Sequence, residues 1–259
     1  SIRLKLANKV WVFDLDGTLM NSDFYQKPIE EACTEIMRAL GDKSPSFSEI
    51  KRRHAELDKR MVYLRNPDTG RLYFYSKPRF PTSLIKIYEL LCKKAGAELN
   101  FSIMRKLYAI GLKAFKEERY IRKIKPQAFS VAKFLKEQGD TLIILTKGDK
   151  RVQGDKKRAL KKAGLLKYFD DFLIVPDSKY ACFKLIKSRY EGSSYYSVGD
   201  TYKDDVMPGI KAGYFGIYIP YLLNWKEVGK FKRIERERSK KNSNHYDHLV
   251  EIVEKYRYI

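Results

Sequence analysis

Val10, Trp11, Val12 and Phe13 run without interruption into Asp14-Leu15-Asp16-Gly17-Thr18, and this junction constrains the fold more than any other stretch of the chain. An apolar run this short that does not alternate reads as a strand buried on both faces. Strands of that kind belong to parallel sheets covered by helices. Four further runs have the same character: residues 142–145, 172–175, 195–198 and 214–219. Helical patterns separate the later ones. Residues 129–138 stop at Gly139, and the basic segment 156–163 stops at Gly164, a fitting helix C-terminal glycine. Strand–helix alternation predicts the α/β class, with a doubly wound parallel sheet.

The alternation has one gap. From Asn21 to about Ile121 no comparable strand occurs, and helical patterns cover residues 28–40, 46–64, 83–95 and 102–118. Ser46 and Glu49 have capping-box spacing ahead of Ile50. The block reads as a mainly helical domain, residues 21–121, inserted into a core made of residues 1–20 and 122–259. Within it, Asn66-Pro67-Asp68-Thr69-Gly70 is a strong turn signal. Its flanks suit either a small hairpin or a helix end and a loop.

Composition narrows the setting. Hydrophobic residues make up 44% of the 259, enough for a sizeable core rather than a disordered chain. No stretch reads as a signal peptide or is long and apolar enough to span a bilayer, so no membrane partner is expected. Three dispersed cysteines, Cys33, Cys92 and Cys182, support neither a disulfide framework nor a zinc site and fit a reducing cytoplasm. The net charge of +21 draws anions, whether phosphorylated metabolites or nucleic acid, although charge-rich surfaces also accompany life at high temperature. Part of it lies in residues 226–241, where eight Lys/Arg face three acids.

In open α/β sheets ligands bind beyond the carboxyl ends of the strands. Reading each strand to that end finds Asp14 and Asp16, then Thr146-Lys147-Gly148-Asp149, then Asp200, Asp204 and Asp205. Several carboxylates converging on one rim repel each other unless a cation neutralises them. Hard oxygen donors without His or Cys suit Mg²⁺ together with a substrate phosphate. A carboxylate can also be a covalent nucleophile, and a second carboxyl two residues on projects to the same side of an extended backbone, where it can move a proton. Each piece taken singly is more often structural: an Asp-x-Asp is common, and threonine often ends a strand. In this order at these strand ends, they are far more specific.

Asp14-Leu15-Asp16-Gly17-Thr18-Leu19, a helical insertion, Leu-Ile-Ile-Leu-Thr146-Lys-Gly-Asp, a lysine, and Val-Gly-Asp200-Thr-Tyr-Lys-Asp-Asp205 together resemble the haloacid dehalogenase-like superfamily of phosphohydrolases. The likeness covers most of residues 1–21 and 121–220, and the insertion lies where that family places a helical cap. The resemblance implies that Asp14 is the nucleophile that becomes phosphorylated. Asp16 is then the general acid/base, with its backbone carbonyl a metal ligand. Thr146 matches the hydroxyl that binds the transferring phosphoryl group, with Lys147 and Gly148 beside it. Asp200 matches the metal-binding acid, and Asp205, just before Val206, the second such acid, with Asp204 as its rival. Lys179 stands where the family places its lysine, and Lys184, one helical turn on, is the alternative.

Relatives that release halide or cleave a carbon–phosphorus bond lack the acid matching Asp16. Its presence implies a leaving oxygen that needs a proton, hence a Mg²⁺-dependent phosphatase acting on a small phosphorylated substrate, with the insertion as its lid. A phosphomutase of the same family is the nearest alternative. A phosphatase acting on nucleic-acid ends is the other: the aromatic-basic run from Arg71 to Phe80 suits bases and phosphates, but it reads more readily as aromatic packing within the insertion with solvated cations, so nucleic acid is not the favoured partner.

Overall fold

The computed structural model describes residues 8–221 and 243–259; the basic stretch 226–241 lies outside them. The chain divides into two compact units, one of Ser1–Ser22 with Tyr120–Ile259 and the other of Asp23–Arg119.

In chain order, β1 (Lys9–Phe13) is followed by α1 (Gln26–Leu40), α2 (Phe47–Met61), α3 (Arg79–Ala95), α4 (Phe101–Leu112), α5 (Glu117–Lys123) and α6 (Pro126–Glu137). Then come β2 (Thr141–Lys147), α7 (Lys150–Lys162), β3 (Asp171–Val175), α8 (Tyr180–Arg189) and β4 (Ser194–Gly199). The last elements are α9 (Met207–Lys211), β5 (Phe215–Tyr218), β6 (Ser243–His245) and α10 (Glu251–Glu254).

Among the described residues the larger unit holds a six-stranded sheet in the order β3-β2-β1-β4-β5-β6, and each ladder is parallel. The central strand β1 pairs Val12 with Ile143 of β2 and with Ser197 of β4. Its side chains alternate between faces. Val10 and Val12 pack with Ile143, Leu145, Phe183, Ile186 and Tyr214 on one side. On the other, Trp11 stacks on Tyr196 at 4.4 Å and Phe13 meets Phe169 edge-on. Both faces are therefore covered, which is why the run could stay apolar throughout; each such buried side chain contributes roughly 1.5–3 kcal/mol. The indole of Trp11 reaches a buried acceptor, Asp140 Oδ2, at 2.9 Å, and Tyr256 donates to the same oxygen at 2.8 Å.

The strand order reverses direction at β1, with β2 on one side and β4 on the other. That switch point leaves a crevice at the carboxyl ends of these three strands. Just beyond β1 the chain bridges Met20 to Ile124, and Lys125 N donates to Leu19 O at 2.9 Å, which anchors the start of α6 beside the same rim.

The smaller unit packs α1–α4 through apolar stripes such as Ala32, Cys33, Ile36 and Leu40 on α1 and Leu84, Ile87, Tyr88 and Leu91 on α3. Ser46 caps α2 by accepting from Glu49 N at 3.3 Å, while the Glu49 carboxylate turns instead to Arg52 and Arg53. The helical pattern over 102–118 breaks after Leu112, passes through a short 3₁₀ turn and resumes in α5. α2 ends at Met61, and the turn at residues 66–70 closes a small antiparallel hairpin, with Arg65 bridged to Leu72, Asn66 N donating to Arg71 O at 2.7 Å and Tyr73 N to Leu64 O at 2.8 Å. The aromatic-basic run divides there: Tyr73, Arg79 and Phe80 are buried, whereas Phe74 and Tyr75 are exposed. No helix among the described residues is long and apolar enough to cross a membrane.

Candidate active site

The clustered acids are brought to the rim by two neighbouring strands, β1 and β4. β1 ends at Phe13, and Asp14 follows directly, its N–H donating to Val198 O of β4 at 2.8 Å. β4 ends at Gly199, so Asp200 emerges one strand over, and the π-type turn Tyr202–Val206 returns Asp205 to the same place. Carboxylate oxygens of Asp14, Asp200 and Asp205 lie within 4.8 Å of one another. Two glycines permit this approach. A Cβ on Gly17, which also has φ +84°, would lie against the Asp200 carboxylate, and one on Gly199 against Asp205 Cβ and Cγ.

Lys179, at the start of α8, is 3% exposed and donates from Nζ to Asp14 Oδ1 and to Asp205 Oδ1, both at 2.7 Å. Burial opposes its charge, but the two carboxylates more than compensate and hold its pKa above the usual lysine value. Lys184 instead lies over the Tyr180 ring. Asp205 is fixed further by Thr201, which donates through N–H at 3.1 Å and through its hydroxyl at 2.7 Å to Oδ2. Asp204 is exposed and stands 3.8 Å from Lys147 Nζ, outside the cluster.

Burial, then repulsion from Asp205, pushes Asp14 up to about 6, although Lys179 pulls the other way. Burial and the charge of Asp14 raise Asp200 well above the ordinary carboxylate value. Three clustered carboxylates with one lysine between them leave unbalanced negative charge in a largely buried place. A hard divalent cation fits that donor set, since all the groups are oxygens.

Asp16 is not a member of the three-acid cluster, though its charge is felt at Asp14. Its carboxylate accepts from Lys156 Nζ at 2.9 Å on both oxygens and from Gln153 Nε2 at 3.0 Å. Gln153 Nε2 also donates to Thr146 Oγ1 at 2.6 Å, and Thr146 is 1% exposed. Gly148 leaves room for this side chain, because a Cβ there would meet Gln153 Cγ at 3.1 Å. Asp149, one of the acids at the end of β2, is the N-cap of α7, accepting from Arg151 N and Val152 N. Lys147 is exposed on the same rim.

Three residues at this rim escape a reading by motif: Gln153 and Lys156, whose signal is their spacing on one face of α7, and Lys125. The Lys125 ammonium donates to Gly17 O at 2.9 Å, and burial lowers its pKa against the pull of Asp200 and Asp14. Thr18, which belongs to the first motif, donates to Asp14 Oδ2 at 3.4 Å.

Comparison with known proteins bears on the fold and the family. No curated protein matches the chain. Among solved structures, a haloacid dehalogenase-like family hydrolase from Xanthomonas campestris superposes with a TM-score of 0.66 at 16% identity, over 100% of this chain and 94% of its own. A HAD phosphatase from Thermococcus onnurineus gives 0.55 at 18% identity, over 95% and 96%. A 2-haloacid dehalogenase from Pseudomonas syringae gives 0.54 at 18% identity, over 97% and 100%. At such identities these likenesses speak for the fold, and two different chemistries share it. The family model of haloacid dehalogenase-like hydrolases matches residues 9–213, from the first residue of β1 to the turn before β5, and the chain is a member of that family.

Proposed function

We propose that this hydrolase is a Mg²⁺-dependent phosphatase that cleaves phosphomonoesters through a phospho-aspartate on Asp14. The observation that carries the reading is Asp16: a second carboxyl at the rim, held by Lys156 and Gln153, which a reaction expelling halide has no use for. An alcohol leaving group needs a proton, and a positioned carboxyl contributes about 10²–10⁴-fold by supplying it.

In the first step Asp14 attacks phosphorus and the ester P–O bond breaks, while Asp16 delivers a proton to the departing oxygen. In the second, Asp16 takes a proton from water as that water attacks the phosphoryl group, and the Asp14 carboxylate is regenerated. Thr146 and Lys179 hold the phosphoryl oxygens, with Lys147 and the Gly148 backbone beside them. Asp14, Asp200 and Asp205, with the Asp16 carbonyl, would hold Mg²⁺. The ion supplies the charge neutralisation that lets an anionic phosphate approach an anionic nucleophile.

The test is turnover of a panel of sugar phosphates, nucleotides and p-nitrophenyl phosphate, with and without Mg²⁺, beside 2-haloacids. Hydrolysis of phosphate esters that EDTA abolishes is expected. Halide release without phosphate release would overturn the proposal.

One observation favours nucleic-acid ends as the substrate. On the smaller unit Tyr63, Phe74 and Tyr75 are exposed at 71%, 53% and 52%, beside exposed Arg60, Arg65, Arg71 and Lys77. Bases stack on such rings while the cations meet phosphates. Faster turnover of a 5′- or 3′-phosphorylated oligonucleotide than of the mononucleotide, lost in Phe74→Ser/Tyr75→Ser, would select this substrate; equal rates would dismiss it.

A further inference from the structure

The α7 contacts assign work to a residue outside the motifs. Gln153 is 2% exposed, and its single side-chain amide nitrogen reaches both Thr146 Oγ1 at 2.6 Å and Asp16 Oδ2 at 3.0 Å. The carboxylate decides the orientation of this amide, because the opposite rotamer would set a carbonyl oxygen against an anionic oxygen. With the nitrogen inward, each of its two hydrogens has one acceptor. Thr146 then receives a hydrogen bond, so its own O–H is left to point at a further acceptor. Lys156, one helical turn beyond Gln153 and 5% exposed, grips the same carboxylate with two contacts of 2.9 Å. The register is built in below: Asp149 caps the first turn of α7, and Gln153 N donates to Asp149 O at 2.9 Å. Gly148 leaves the space through which the Gln153 side chain passes.

We infer that Gln153, assisted by Lys156, is a positioning residue that locks the phosphoryl-holding hydroxyl and the proton-moving carboxyl in one register. The inference rests on the phosphatase reading above. Gln153 touches neither ester nor water; it acts through Thr146, whose hydroxyl it turns outward as a donor, and through Asp16, whose carboxylate it keeps from rotating freely. The cost of losing it falls on the step that needs a proton more than on binding.

The experiment compares wild type, Gln153→Met and Lys156→Met in Mg²⁺ buffer on two substrates, p-nitrophenyl phosphate and an alkyl phosphate, recording kcat and KM separately. Gln153→Met is expected to lower kcat on the alkyl ester by about 10- to 100-fold, with a several-fold smaller loss on p-nitrophenyl phosphate, whose leaving group departs without a proton. KM should move by less than about threefold. In an Asp16→Asn background the same substitution should cost several-fold less on the alkyl ester, down to the loss seen on p-nitrophenyl phosphate, because the Asp16 route is already cut and only the Thr146 route remains. Lys156→Met should show the same dependence on leaving group. An equal loss on both esters, additive with Asp16→Asn, would reduce Gln153 to a packing residue and overturn the inference. Hydrolysis that Asp14→Asn abolishes but Gln153→Met leaves unchanged would overturn the inference alone. Hydrolysis that survives Asp14→Asn would overturn the phosphatase reading and the inference with it.

Discussion

Lys179 Nζ lies 2.7 Å from Asp14 Oδ1, across 165 residues of chain and at 3% side-chain exposure for the lysine. The same ammonium meets Asp205 at 2.7 Å, so one cation ties the end of β1 to the turn after β4. Removing one member of a buried ion pair strands the other and costs about 3–5 kcal/mol. Lys179→Met should therefore lower the denaturation midpoint of the metal-free protein and cut turnover of p-nitrophenyl phosphate at least about 100-fold. Added Mg²⁺ should recover part of the stability but not the rate. Chemical denaturation with and without Mg²⁺, beside a kinetic assay, checks both.

Asp14→Asn should abolish turnover while the melting temperature holds or rises, since the change relieves a buried acid in repulsion with Asp200 and Asp205, and Lys179 keeps its pairing with Asp205. Asp16→Asn should spare p-nitrophenyl phosphate far more than alkyl phosphates, with a loss on the latter of about 10²–10⁴. Steady-state kinetics on the two esters decides it.

Gly17→Ala should damage the site without touching a carboxylate. The new Cβ would press on the Asp200 carboxylate and the backbone would keep φ +84°, which costs a residue with a side chain about 1–2 kcal/mol. A weakened response to Mg²⁺, read by titration calorimetry, is the expected outcome; an unchanged metal isotherm would show that the loop yields.

The carboxylate cluster predicts how metal and pH combine. Asp14 sits near 6 in the folded chain against 3.8 for the free side chain, and Asp200 is raised as well. A raised acid contributes stability fully below its unfolded value and loses it as pH rises through the folded one. The metal-free larger unit should thus weaken between about pH 4 and 6. Mg²⁺, which binds the ionised cluster, should raise the melting temperature more near pH 7.5 than near pH 5. Thermal scans at the two values test this.

The smaller unit has the opposite sign. Ser83 donates its hydroxyl proton to Phe80 O at 2.6 Å, so the 2.7 Å contact with His54 Nε2 uses the imidazole N–H, and buried Nδ1 has no partner. Burial lowers the pKa of His54 from 6.5, with Asp58 pulling up and Arg79 pulling down. A depressed value gives stability that is full above about 6.5 and is lost as pH falls below it. His54→Leu should flatten that acid-side loss, which hydrogen exchange on α2 and α3 would report.

The strands were legible because each carries a short apolar run, and the five runs coincide with β1 to β5; β1 and β2 are buried almost throughout, whereas β3 is buried only at Phe172 and β5 leaves Phe215 exposed. The edge strand β6, Ser-Asn-His, carries no such signal. It pairs through backbone at the sheet edge, a contact that leaves no mark in side-chain pattern. Asp149 and Asp204 looked like members of the acidic rim, but one serves as a helix cap and the other faces solvent. Local text cannot separate an acid that caps from one that converges.

The amino-acid order alone determined that strands end in acids and a threonine, and in which sequence, because burial pattern and motif spacing are local. Tertiary structure alone decided which of those groups meet. It chose Asp205 over Asp204 for the carboxylate cluster, set Lys179 rather than Lys184 between two carboxylates, and brought Gln153 and Lys156 to Asp16. Those meetings depend on sheet order and helix phase, which arise only when elements distant in the chain pack together.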